Sequence, residues 1–166
     1  MNRVAVFLVN FPDHNLLLPA VQGLSSIAGV KEWQAVDGHA NLVVTVEGSS
    51  DPLLTYLNGI TQNASISMCE VIDGLRNGDR PGLTPDLAHA WVFADVEAAR
   101  AEQVRLQLKE VAGVVKTMEV RGGCDLIVLI SGSTLDQVDR VISQEIQLLD
   151  GILRLKRNRV INLTTL

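Results

Sequence analysis

The chain repeats itself. The stretch Ala35-Val36-Asp37-Gly38-His39-Ala40-Asn41-Leu42-Val43-Val44-Thr45-Val46-Glu47-Gly48 lies without a gap over Glu119-Val120-Arg121-Gly122-Gly123-Cys124-Asp125-Leu126-Ile127-Val128-Leu129-Ile130-Ser131-Gly132. Ile27-Ala28-Gly29-Val30 falls on Val111-Ala112-Gly113-Val114 at the same offset, and the opening run Val4 to Val9 finds its counterpart in Ala90 to Val96 after a short slip. Val71-Ile72-Asp73 meets Val160-Ile161-Asn162 only after a further shift, which predicts a longer final helix and strand in the second copy. Two copies are too few for a solenoid, so duplication of one small domain is the simpler reading. The chain has 166 residues, and each unit would be marginal alone, so the two are expected to pack on each other.

Each copy shows the same order of signals. An apolar strand leads to a helix whose inward positions recur at helical spacing: Leu17, Val21, Leu24 and Ile27, then Ala101, Val104, Leu108 and Val111. Gly29 and Gly113 stand where a left-handed cap ends the helix. Two strands follow, joined by a tight turn at Gly38-His39 or Gly122-Gly123. Ser50-Asp51-Pro52 and the capping box of Thr134 with Gln137 begin a second helix, and a closing strand ends the copy. The fold class is therefore α+β: two tandem ferredoxin-like β-α-β-β-α-β units at 1–73 and 88–166, with 74–87 as linker. Both helices of such a unit cover one face of its sheet. Leu42 to Val46 and Leu126 to Ile130 are apolar on both faces, so a second oily side needs covering, by sheet-to-sheet packing of the dimeric α/β-barrel type within one chain or between two.

Charge and composition narrow the function classes. A formal net charge of −5 disfavours nucleic-acid binding. The run Val4 to Val9 is too short to span a membrane and lacks a cleavage site, so no membrane association and a cytoplasmic location are expected. Cys69 and Cys124 lie in different halves with no metal-ligand spacing, and both read as small buried hydrophobes rather than a disulfide. His14, His39 and His89 are too scattered to suggest a metal site. No Ser-His-Asp set, acid/base carboxylate pair or phosphate loop is visible, and the expectation is a non-enzymatic module without cofactor.

The second copy, through Val111-Ala112-Gly113-Val114, Val120-Arg121-Gly122-Gly123-Cys124-Asp125-Leu126, Leu149-Asp150-Gly151-Ile152 and Val160-Ile161, resembles the effector-binding domain of the Lrp/AsnC regulator family. Cys124 takes the place of that family's aromatic residue. The resemblance implies a stand-alone regulatory module, linked to transcription, that self-associates and senses a small amino-acid-like effector. The chain opens on a strand where family members carry a helix-turn-helix domain, so direct DNA binding is not expected. It further implies a ligand site near the hairpin turns: Arg121, Gly122, Gly123, Cys124 and Asp125 in the second copy, with Gly38, His39 and Asn41 in the first. Two readings of these turns stay open: backbone N–H groups that hold a carboxylate, or glycines that merely permit a hairpin. Asp125 could pair with a ligand ammonium or sit solvated. Arg154, Lys156, Arg157 and Arg159 read as charges protecting an edge strand, or as a phosphate or peptide contact. An interaction module that captures a peptide at a sheet edge, and an enzyme built on facing sheets, remain alternatives to the regulatory reading.

Overall fold

A computed structural model of the chain describes residues 3–73, 83 and 86–161. The span expected as a linker, 74–87, falls for the most part outside them. In chain order the elements are β1 (Val4–Asn10), α1 (Leu17–Gln22), β2 (Val30–Gly38), β3 (Leu42–Glu47), α2 (Asp51–Ile60) and β4 (Ser65–Asp73). Then come β5 (Ala88–Val96), α3 (Ala101–Lys109), β6 (Val114–Gly122), β7 (Leu126–Gly132), α4 (Leu135–Val141) and β8 (Ile152–Val160). The order β-α-β-β-α-β thus occurs twice. The first helix is shorter than its spacing predicts. Pro19 sits in its first turns and Gly23 ends it, and Leu24 falls in a separate 3-10 turn. Gly23 leaves room for Tyr56, whose hydroxyl donates to the Ala20 carbonyl at 2.6 Å. The extra residues of the second half enter the helix and not the strand: α4 runs on as a π turn, Ile142–Ile146, while β4 and β8 are both 9 residues long.

The strands close into one antiparallel barrel in the order β1-β3-β2-β8-β5-β7-β6-β4. Two facing but separate sheets were expected. Instead the edges join at two seams, β2 with β8 (Val36↔Val160 to Gly38↔Asn158) and β4 with β6 (Cys69↔Gly122 to Asp73↔Glu119). Closure satisfies backbone groups that two open sheets would leave on four edges. It also corrects the placement of β8, which is no edge strand: it pairs with β5 from Arg159 to Ile152 and with β2 at its C-terminal end.

Alternation along each strand sorts the apolar side chains into three layers. Phe7, Val9, Leu42, Val44 and Val46 pack with Leu24, Leu53 and Leu57 beneath the helices of the first half. Val92, Ala94, Val128 and Ile130 do so with Val104, Leu108, Val138 and Ile142 in the second. The remaining set fills the barrel: Val6, Leu8, Val43, Cys69, Trp91, Phe93, Met118, Val120, Cys124, Ile127 and Leu129. Each large apolar side chain fully buried there contributes about 1.5–3 kcal/mol relative to exposure. The surplus oily faces therefore cover one another within a single chain, and these faces need no second copy.

Candidate functional site

The hairpin residues picked out in the sequence lie at the seams. Gly38 and Gly122 both have positive φ, +150° and +115°. A Cβ on Gly38 would run into the Arg157 carbonyl oxygen, and one on Gly122 would stand 2.7 Å from the Met68 carbonyl oxygen. These glycines let the neighbouring half approach. The turn chemistry differs from a two-residue hairpin with a pair of positive φ values, since His39 and Gly123 keep ordinary backbone angles. Their N–H groups are engaged in the closure: His39 donates to Arg157 O at 3.1 Å and Gly123 to Met68 O at 3.1 Å. Neither is free to hold a carboxylate. Asn41 ties the turn to β1, its Oδ1 accepting from Phe11 N at 2.8 Å and its N–H donating to Val9 O at 2.9 Å. Arg121 is exposed and faces Glu70 across the seam at 3.5 Å.

Asp125 has a structural bond and a place in a groove. Its Oδ2 accepts from Val96 N at 2.8 Å. The groove, about 280 Å³, runs between α3 and β6 and is lined by Val96, Ala98, Ala101, Glu102, Arg105, Glu119, Val120, Asp125 and Leu126. Arg105 is its hub: the guanidinium meets Glu119 at 3.1 Å, Asp73 of the first half at 2.9 Å and Glu102 at 3.8 Å. Among the groove's own lining residues, the carboxylates of Glu102, Glu119 and Asp125 outnumber the one guanidinium, which favours a cationic group on any ligand. Arg105 escaped the sequence reading because a charge on an amphipathic helix ordinarily faces water. Glu102 lies one turn before it on the same expected helix, but nothing in the sequence shows that Asp73 and Glu119 converge there too.

Polar side chains also tie the halves together inside the barrel. Trp91 donates its Nε1–H to Gln34 Oε1 at 3.0 Å, and Asn158 Oδ1 accepts from Ala40 N at 2.8 Å. The amide nitrogens of the same side chains, Gln34 Nε2 and Asn158 Nδ2, are buried without a hydrogen-bond partner among the described residues. Two cysteines expected to be unrelated meet here. Cys69 Sγ and Cys124 Sγ lie 3.4 Å apart, both buried. The hydrogen bond from Cys124 lowers the Cys69 pKa, helped by the backbone N–H groups of Gly123 and Cys124, while burial opposes it. The same bond and burial push Cys124 up, so Cys69 ionises first. His89 is buried, which lowers its pKa. His14, His39 and His89 do not converge, and no group of three or more potential metal ligands occurs among the described residues.

The fold and these sites define an α+β protein built on a closed eight-stranded antiparallel barrel, with polar contacts concentrated where its two halves join. No protein-family model matches the sequence, and no curated protein sequence does. Among solved structures, the siroheme decarboxylase NirDL is similar over 97% of this chain and 72% of its own, at 10% identity and a TM-score of 0.76. A putative monooxygenase from Fusobacterium nucleatum subsp. nucleatum is similar over 96% of this chain and 90% of its own, at 12% identity and a TM-score of 0.57. AsnC of E. coli overlaps 69% of this chain and 74% of its own, at 15% identity and a TM-score of 0.44. The whole-chain likeness is one of fold. It corrects the expectation of a non-enzymatic module: the scaffold is one on which proteins named as enzymes are built. On a barrel of this kind, groups that meet in space come from strands far apart in sequence, so the lack of a local catalytic motif carried little weight. No helix among the described residues is long and apolar enough to cross a membrane.

Proposed function

We propose that this chain is a small-molecule-binding α+β barrel, on a duplicated ferredoxin-like frame, that takes an amino-acid-like ligand in the groove between α3 and β6. The observation that carries this reading is the charge arrangement there: Glu102, Glu119 and Asp125 line the groove with Arg105 beside the apolar Val96, Ala101 and Leu126. A ligand ammonium would meet the carboxylates, its carboxylate the guanidinium, and an aliphatic side chain the apolar residues. The groove is slightly smaller than the roughly 300–1,000 Å³ of sites for drug-sized ligands, which suits a metabolite of a few heavy atoms. Regulation through such a ligand is consistent with the resemblance of the second copy to effector domains. Titration calorimetry across the proteinogenic amino acids and simple amines tests it. Binding of one class, weakened several-fold by Glu102→Gln with an unchanged melting temperature, is the expected result. A flat response across the set would remove the support.

A second reading rests on the whole-chain likeness to a siroheme decarboxylase, also solved in complex with an iron-uroporphyrin III analogue. On this reading the barrel is an enzyme scaffold for a carboxylate-rich tetrapyrrole. Adding iron uroporphyrin and following the Soret band discriminates the two: a shifted, saturable band favours the enzyme, and an unchanged spectrum favours the groove ligand.

A further inference from the structure

Cys69 sits on β4 in the first half, and Cys124 in the β6–β7 turn of the second. The backbones are held in register at that point, where Cys69 pairs with Gly122 and Gly123 N donates to Met68 O at 3.1 Å. The two sulfurs are 3.4 Å apart, and a disulfide needs about 2.05 Å. The two side chains must rotate to bring the sulfurs to bonding distance. No third ligand accompanies the sulfurs among the described residues, which argues against a metal and leaves thiol chemistry. The pair lies just beneath the surface: Gly123 and Ser67 are exposed, and a Cβ at Gly123 would stand only 3.2 Å from Cys69 Sγ. A small oxidant therefore reaches the sulfurs with little opening, whereas a bulky disulfide reagent does not.

We propose that Cys69 and Cys124 form a peroxide-sensitive dithiol that closes to a disulfide across the β4–β6 seam and locks the two halves of the barrel. The Cys69 thiolate attacks one oxygen of hydrogen peroxide, the O–O bond breaks, and the departing hydroxide takes up the thiol's proton as water. Cys69 is then a sulfenic acid. The Cys124 sulfur attacks the Cys69 sulfur, the S–O bond breaks, and a second water leaves with the Cys124 proton. Two thiols and one peroxide thus become one disulfide and two waters. The link spans a sequence separation of 55 residues, long enough to restrict the unfolded chain substantially.

The full chain, reduced and then exposed to a modest excess of hydrogen peroxide, tests this. Thiol titration after denaturation should fall from two groups to none, and a non-reducing digest should yield the Cys69 and Cys124 peptides joined. The melting temperature should rise on the order of 10 °C and return on adding a reductant. In Cys124→Ser, dimedone should label Cys69 after peroxide. Two thiols surviving in the folded wild-type chain, or oxygen added to one sulfur with no joined peptides, would overturn the proposal. An unlabelled Cys69 in the variant would overturn its role as the attacking sulfur.

Discussion

At the residue scale, single atoms hold the seams. Gly122 illustrates the constraint: φ is +115° and a Cβ would stand 2.7 Å from the Met68 carbonyl oxygen. Gly122→Ala combines backbone strain with a clash against main chain, and should cost about 3 kcal/mol, read as a shifted urea midpoint. Gly48→Ala is the control, since it shares a positive φ but meets nothing within 4 Å; it should cost clearly less. His89 adds a pH dependence. Burial lowers its pKa below the ordinary 6.5, so the folded state binds fewer protons than the unfolded state in that range. Its contribution is fully present above about pH 6.5 and is lost as pH falls from there toward the folded-state value. His39 is lowered too, by burial and by the charge of Lys156, and adds in the same direction. Stability measured from pH 7.5 to 5 should decline, and His89→Gln should flatten part of that decline.

At the element scale, α4 shows how a local signal and its tertiary partners combine. Thr134 caps the helix, its Oγ1 accepting from Gln137 N at 3.1 Å, while Gln137 Oε1 accepts from Ser133 N at 2.8 Å and from Ser133 Oγ at 2.6 Å. The capping box is thus present with its return bond displaced by one residue, to Ser133. Thr134→Ala should lower stability by about 1 kcal/mol in chemical denaturation, with no change in the slope of the transition. The π turn that follows is held from β8: Arg157 donates to Ser143 Oγ and to Gln147 Oε1, both at 2.9 Å, and Arg159 pairs with Asp139 at 2.9 Å. Arg157 and Arg159, read as edge protection, fasten this helix to a strand that pairs with β5 along its length and with β2 at its C-terminal end. The basic stretch was visible in the sequence, but its contact with the helix was not.

For the whole molecule, closure makes the halves depend on each other. Trp91 in the second half lies in the barrel interior and is bonded to Gln34 of the first, while Trp33 packs with the helix-side core of the first half. Trp33→Phe and Trp91→Phe leave one reporter each, and both should give the same denaturant midpoint after correction for each substitution's own effect. Separate midpoints would mean that the halves unfold independently.

The repeat, the alternation of apolar residues and the helical spacing were enough to predict the element order, the strands that are oily on both faces and the need for those faces to meet. These are local properties, since alternation follows from the pleat and helical spacing from the turn. Which edges join is different. It depends on twist and register accumulated over strands far apart in the chain, and only the folded barrel settles it. That is why Asp125 and the hairpin glycines could be singled out by motif. The contact of Asp73 with Arg105, and the meeting of Cys69 with Cys124, are products of closure.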